Sequence, residues 1–235
     1  MNQAPLTHYA RVSSTQDLVH ALGEQGAPSG SGVLATEQVG GRGSRGRSWA
    51  SPPGGLWLSV LVRPPSEAAA AVLSLRVGLA VAEVLEALLP GLAVRLKWPN
   101  DLMLADRKLG GILCEARWQG GALAWVAVGL GLNVRNELPD EVRARAIALV
   151  EVAPLATPEH LAAGLREAIG RVGQADGPLT PDERARYVAR DWLQGRRLAG
   201  PVVGTADGVA ADGALLVQDA GGAVTTVRSG TIVLA

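Results

Sequence analysis

Cysteine, histidine and lysine are all scarce in this chain of 235 residues. A lone cysteine, Cys114, leaves no partner for an internal disulfide. The three histidines, His8, His20 and His160, lie far apart in sequence, which argues against a zinc site. Neither sign of charge dominates: 22 basic residues face 22 acidic ones, so no global field favours nucleic acid or a membrane surface. Any positive site must be local. No apolar run is long and clean enough to span a bilayer, because Ala68–Leu89 is broken by Arg76, Glu83 and Glu86. The amino-terminal stretch lacks the charged-then-apolar profile of a signal peptide. Hydrophobic residues make up 48%, enough for a packed core and too many for disorder. A soluble cytoplasmic protein is expected, with one substantial domain and a small one.

Lysine scarcity says more. Of the 22 basic residues only Lys97 and Lys108 are lysines; the rest are arginines. GC-rich coding favours arginine at surface positions, so two lysines that resisted the drift point to a need for a compact ammonium charge.

Local patterning predicts a strand over Leu6–Val12 and a helix from an N-cap at Ser14 to about Glu24. Strands follow at Val33–Thr36 and Leu56–Val62, separated by a glycine- and arginine-rich loop over residues 37–55. The alanine-rich stretch Glu67–Leu89 reads as one long helix stopped by Pro90-Gly91. Further strands are expected at Ala93–Lys97, Leu102–Leu104, Gly111–Arg117 and Ala122–Leu132, with turns at Asp106-Arg107 and Gln119–Gly121. Helices are expected over about His160–Val172 and Asp182–Leu193. From Gly195 the pattern changes to short β runs, Pro201–Val203, Ala214–Val217 and Val224–Val227, alternating with Asp-Gly and Gly-Gly turns. The reading is an α/β (α+β) domain over residues 1–194, with a mixed, largely antiparallel sheet backed by helices. A small β-barrel-like module follows over 195–235.

The most informative segment is Gly40-Gly41-Arg42-Gly43-Ser44-Arg45-Gly46-Arg47-Ser48-Trp49. Its glycines let backbone N–H groups approach an anion, its arginines add bidentate phosphate donors, and Trp49 offers a stacking face. A nucleotide or acyl-phosphate site competes here with a solvated linker and with an RGG-like patch for single-stranded nucleic acid. The position between two strand patterns disfavours the linker, and the neutral balance disfavours nucleic acid.

Three further motifs follow. In Lys97-Trp98-Pro99-Asn100-Asp101, the proline interrupts the strand and presents Asn100 and Asp101 from a turn, although an Asx turn alone would explain the pattern. Lys108-Leu109-Gly110-Gly111-Ile112-Leu113 sets a lysine before two glycines that admit a ligand. Gly129-Leu130-Gly131-Leu132-Asn133 ends a strand with room beside Asn133.

Together with Ser13-Ser14-Thr15-Gln16, these ordered motifs resemble the biotin protein ligase family from residue 13 to 133. The carboxy-terminal module is similar to that family's SH3-like domain. The resemblance implies ATP-dependent formation of biotinyl-5'-AMP and transfer of biotin to a lysine of a carboxyl carrier protein. It further implies that Ser14, Thr15, Gln38, Gly41, Arg42 and Gly111 surround biotin, and that Lys108 meets the biotin carboxylate. Arg45, Arg47 and Lys97 would face ATP phosphates, Trp49 and Asn133 the adenine side, and Asn100 would also bind ATP. Asp101 would hold the lysine or the adenylate. Lys108, Asp101 and Arg42 are thus the implied catalytic set.

Implied partners are biotin, ATP with Mg2+, and a carrier domain of acetyl-CoA carboxylase or another carboxylase; the metal ligands are not assigned. A homodimer through sheet edges is expected by analogy. Since about six residues precede the first strand, the ligase-only form is expected, without sequence-specific DNA binding. Ser44 departs from the arginine common in the family, and Gln16 from the usual asparagine. The nearest rival, a lipoate ligase or octanoyltransferase, lacks support because its Arg-Arg-X-Ser-Gly-Gly-Gly type of loop is missing. Trp57, Trp118 and Trp125 are expected in the core, Cys114 as a small buried hydrophobe, and Arg143 and Arg145 in solvent. For Glu115 a structural ion pair and a functional role remain equal alternatives.

Overall fold

A computed structural model describes residues 4–235. Met1–Gln3, the start of the stretch read for a signal profile, lie outside the described residues. β1 (Leu6–Val12) leads through α1 (Thr15–Glu24) to β2 (Gly32–Gln38) and β3 (Leu56–Val62). Helices α2 (Glu67–Ala71) and α3 (Leu73–Leu88) precede β4 (Arg95–Lys97), β5 (Asp101–Leu104), β6 (Arg107–Gln119) and β7 (Ala122–Leu132). Then come α4 (Asp140–Arg143), α5 (Pro158–Val172) and α6 (Pro181–Arg190). The chain closes with β8 (Arg197–Gly200), β9 (Gly204–Val209), β10 (Leu215–Gln218), β11 (Val224–Val227) and β12 (Val233–Leu234).

Seven strands form one sheet in the order β1-β2-β3-β7-β6-β5-β4. Only β1 and β2 run parallel; the other neighbours are antiparallel, so the sheet is mixed and largely antiparallel as expected. β3 is buried along its whole length because both faces are covered. Leu56, Leu58, Val60 and Val62 belong to the main core with residues of α3 and α5. Leu61 joins Val19 of α1, Val33, Trp125 and Ala127 in a smaller cluster on the opposite face. Thus α1 roofs one end of that second face and leaves the rest open for a site.

The last five strands form an antiparallel sheet in the order β11-β10-β9-β8-β12. Leu198, Val209, Leu215 and Val217 of this sheet share the main core with the helices, so the small module shares its apolar packing with the larger part. Among the described residues, no helix is long and apolar enough to cross a membrane.

Several local expectations are corrected. The helix expected over Glu67–Leu89 is two helices meeting at Val72, which is fully buried and packs beside Gly213 in the turn between β9 and β10. Pro201–Val203 forms the turn between β8 and β9, where a proline without an N–H is tolerated. The β5–β6 turn is Ala105-Asp106, both at positive φ, rather than Asp106-Arg107. Trp57 and Trp125 are core, but Trp118 is half exposed, because the β6–β7 hairpin runs out beyond the covering helix.

Asp191, just after α6, is completely buried; one carboxylate oxygen accepts the Leu193 N–H at 2.8 Å and the other has no partner. Burial pushes its pKa up to about 6, with the Leu193 N–H and Arg95 acting in the opposite direction. A raised folded-state pKa means that stability is greatest below the ordinary value of 3.8 and declines as pH rises through about 6. Asp191→Asn should therefore raise the melting temperature above pH 6. The gain is bounded by about 3 kcal/mol for a shift near two units, less the cost of burying the amide NH2. Thermal melts at pH 4 and pH 8 check this: the advantage should vanish at the lower pH, and an equal effect at both would refute the assignment.

Candidate functional site

The open face of the large sheet is the floor of a cavity of about 700 Å3. Strand register explains what lines it. Lys97 pairs with Asp101, Asp101 with Gly111, and Gly111 with Gly131, giving one row across β4, β5, β6 and β7. Two residues along lies the row Leu113, Gly129 and Ser59. Because side chains alternate across a strand, all of these point to the same face. Glycines at 111, 129 and 131 keep that floor low. A Cβ on Gly131 would lie 2.8 Å from the Trp49 indole nitrogen, and one on Gly129 would meet the Gln16 amide at 3.1 Å.

Lys108 reaches this face through a β-bulge. Leu102 pairs with Gly110 but Met103 pairs with Lys108, so Leu109 is the extra residue. In an unbroken strand Lys108 would share the face of Gly110 and point away from the cavity; the bulge reverses it. Lys108 Nζ then lies 2.6 Å from Asp101 Oδ1 and 5.1 Å from the Trp49 ring centroid. Backbone bonds to Arg145 and Ile147 fix the bulge from the other side. Lys97 lies close enough to feel both charges. Burial first, then Lys108 and Arg196, hold its pKa below the ordinary value, with Asp101 pulling upward.

The glycine- and arginine-rich segment folds into a small hairpin. Gln38 bridges Ser51, Trp49 N–H donates to Gly41 O, Gly43 N–H donates to Arg47 O, and a 3-10 turn over Ser44–Gly46 makes the tip. Gln38 ties its base to α1: its Oε1 accepts from Thr15 N–H at 2.8 Å and from Thr15 Oγ1 at 3.0 Å, and its Nε2 donates to Ser51 Oγ at 2.9 Å. Thr15 also bonds Ser59 Oγ at 2.7 Å. Ser14 occupies the N-cap position of α1 but makes no side-chain capping bond, so its hydroxyl stays in the cavity wall. Arg42 is held by Asp17 at 2.8 Å and Glu115 at 3.1 Å, which gives Glu115 its ion pair. Ser44 receives both Arg47 Nε and Nη2, so the serine here orients an arginine.

Of the residues expected at the site, Ser14, Thr15, Gln38, Arg42, Arg47 and Trp49 line the cavity. So do Lys97, Asn100, Asp101, Lys108, Gly111 and Asn133. Asn100 and Asn133 are also tied to protein partners, Asn100 Nδ2 donating to Ile112 O and Asn133 Oδ1 accepting from Asn136 Nδ2. Gly41 and Arg45 are not among the lining residues. Gly41 sits beneath the hairpin, where a Cβ would lie 2.4 Å from Trp49 O. Arg45, at φ 61°, turns away and donates to Gly230 O and Thr231 Oγ1 of the C-terminal segment.

Motif reading missed several contributors besides Ser59 and Asp106. Gln16 is buried and lines the cavity, with its Oε1 lacking a partner. Asn136, Arg145 and Trp192 also line it, and Arg145 does so while exposed, as expected of it. Gln16 could have been found from its place in the Ser-Ser-Thr-Gln motif; Arg145 and Trp192 carry no local signal. Cys114 is partly buried, and burial pushes its thiol up to about 12, consistent with a packing role.

Five basic side chains, Arg42, Arg47, Lys97, Lys108 and Arg145, face two acidic ones, Asp101 and Asp106, around the cavity. In a chain of zero net charge the lining thus carries a local excess of positive charge, although Arg42 is paired with Asp17 and Glu115. From Ser59 on β3 to Lys97 on β4 there are four strand spacings, roughly 19 Å at about 4.8 Å each. The cavity therefore joins a hydroxyl- and amide-rich end to an end holding both lysines over the length of a large extended ligand.

Residues 9–133 match the family described as the Biotin/lipoate A/B protein ligase family, and residues 194–235 match the Biotin protein ligase C terminal domain. Over 95% of its length the chain is 35% identical to a biotin–[acetyl-CoA-carboxylase] ligase of Mycobacterium tuberculosis, of which it covers 86%. It is 46% identical over 131 residues to the bifunctional ligase/repressor BirA of Escherichia coli, covering 55% of this chain and 40% of BirA. The chain thus aligns with less than half the length of the BirA proteins it resembles. Among solved structures it resembles a biotin protein ligase from Aquifex aeolicus in complex with biotin and ATP, with a TM-score of 0.80, 27% identity and 98% coverage of both chains.

Proposed function

Because the chain belongs to the biotin/lipoate A/B protein ligase family and carries the C-terminal domain of biotin protein ligases, we propose that it activates biotin with ATP and transfers it to a carrier lysine. The observation that carries this reading is the convergence of five separated motifs on one cavity, rich in hydroxyl and amide groups at one end and holding both lysines at the other. Ser14, Thr15 and Gln38 bind the biotin head group, with Gly111 beside the chain of the acid; Gly41 supports the loop from below. Lys108 neutralises the biotin carboxylate and the charge that builds up as it attacks the α-phosphorus and pyrophosphate leaves. Asp101 fixes the lysine, Arg42 closes the loop, and Arg47, Lys97 and Asn100 face the phosphates. Trp49 and Asn133 flank the adenine side. The carrier amine then attacks the acyl carbon and AMP departs.

Magnesium enters as part of the ATP complex. Among the described residues, no three His, Cys, Asp or Glu side chains gather into a group that could hold a metal ion; Mg2+ carried by ATP would add positive charge at the phosphates. The catalytic domain is taken as residues 1–194 and the small module as 195–235. The natural acceptor is the biotin carboxyl carrier domain of acetyl-CoA carboxylase or another carboxylase, and the setting is cytoplasmic. Pairing of sheet edges makes a homodimer. Duplex DNA is bound weakly, without sequence preference, and is released by salt.

Pyrophosphate release from ATP, measured with biotin, lipoate and octanoate in turn, tests the reading. Release should depend on biotin, and biotin should then appear on a carrier domain. Activity with lipoate or octanoate and none with biotin would replace this reading with that of a different acyl ligase.

A further inference from the structure

Both lysines lie over tryptophan rings. Lys108 Nζ is 5.1 Å from the Trp49 centroid, and Lys97 Nζ is 5.0 Å from that of Trp192. The first pair joins two motifs; the second depends on a residue far along the chain, at the junction with the C-terminal sheet. Trp192 is locked in place from three sides. Its backbone N–H donates to Leu96 O at 2.8 Å, beside Lys97 on β4. Its indole N–H donates to Asp106 Oδ1 at 2.6 Å, in the turn two residues before Lys108. The Arg196 guanidinium stacks 3.9 Å from the ring centroid and also reaches Asp106 at 3.1 Å. One side chain therefore ties together both arms that carry the lysines.

The two lysines differ in what they face. Lys108 is engaged by Asp101, whereas Lys97, among the described residues, has neither an ion pair nor a hydrogen bond. A half-buried ammonium group held by a π face commits none of its N–H donors to a protein acceptor, which leaves those turned toward the cavity for a ligand. A carboxylate in the place of the ring would hold Lys97 equally well but would neutralise it and compete with an incoming anion. The indole attracts without discharging.

We propose that Trp192 is a positioning residue that holds Lys97 ready for the terminal phosphates of ATP, so that the junction with the C-terminal sheet sets polyphosphate affinity. This rests on the ligase reading above. Arg196 adds positive charge on the same ring, and Asp106 keeps the indole edge aligned.

With only two lysines, protein labelled with 13C at the lysine ε carbon gives two reporter signals, assigned through Lys97→Arg. The Lys97 signal should lie upfield in the ring current of Trp192 and should move when inorganic pyrophosphate is added. Trp192→Leu should return it to the free-lysine position and raise the KM for ATP about tenfold, equivalent to 1.4 kcal/mol, with kcat and the KM for biotin nearly unchanged. Trp192→Phe, which keeps a π face, should stay close to the unsubstituted protein. An unchanged ATP KM in folded Trp192→Leu overturns the proposal. So does pyrophosphate that shifts the Lys108 signal but not that of Lys97, a result that needs no Trp192 variant. Absence of biotin-dependent pyrophosphate release from the unsubstituted protein would instead overturn the ligase reading, while the lysine signals would still judge the role of Trp192.

Discussion

Lys108→Ala should lower biotin-dependent pyrophosphate release by about 100-fold or more, the loss typical of a charged group that stabilises a transition state. The substitution removes the ammonium 2.6 Å from Asp101 and leaves that carboxylate facing the incoming anions, so both attraction and neutralisation are lost. Lys108→Arg should restore little. The wider planar guanidinium cannot take the same position between Asp101 and the Trp49 ring, and its charge would sit elsewhere. Pyrophosphate release at saturating biotin and ATP, with circular dichroism to verify folding, is the measurement. Near-normal release from a folded alanine variant would remove Lys108 from the chemistry.

Arg76→Met should cost about 3–5 kcal/mol of stability, the usual penalty for removing one partner of a buried ion pair. Arg76 lies on α3 with 2% of its side chain exposed. Its Nε and Nη2 donate to Glu183 at 2.7 and 3.2 Å, and its remaining donors satisfy the carbonyls of Ala175, Asp176, Gly177 and Pro178. One guanidinium thus fastens the α5–α6 connection to the core, and methionine fills the volume while leaving the acceptors unpaired. Burial raises the Glu183 pKa, but hydrogen bonds from Arg76 and from Thr180 outweigh it and hold it below the ordinary value of 4.5. Stability from a depressed carboxyl is present above that value and lost as pH falls through the folded-state pKa. The gap between the two proteins in urea unfolding should therefore be widest near neutrality and narrow in acid. A loss below about 1 kcal/mol at pH 7 would contradict a buried pair of this kind.

The β elements that carry the motifs were legible because their patterns are local. β3 and β7 were expected over the residues they occupy, since a long apolar run bounded by prolines or glycines leaves little choice. Helix ends were read to within a few residues from Ser14 and Pro90-Gly91. The bend at Val72 was not legible, because alanine-rich propensity continues through it and the bend accommodates Gly213 from the distant turn between β9 and β10. Arg45 shows the same limit inside a motif. Residue type suited it to a phosphate, yet a positive φ turns it toward Gly230 and Thr231.

By itself the sequence determined which chemical groups are present and in what order: a glycine-lined floor, an arginine hairpin ending in Trp49, and two lysines kept in a chain that otherwise uses arginine. Those are properties of residue type and near neighbours, so they survive without coordinates. Tertiary structure decided where the groups point and what completes them. Period-2 alternation assigns a face only while a strand is unbroken, and the extra residue at Leu109 reverses that assignment for Lys108, bringing it onto Asp101. Trp192 and Arg145 reach the cavity through chain crossings that no local pattern encodes. Composition and spacing specify the chemistry; only long-range packing fixes the parity and proximity that assemble it into a site.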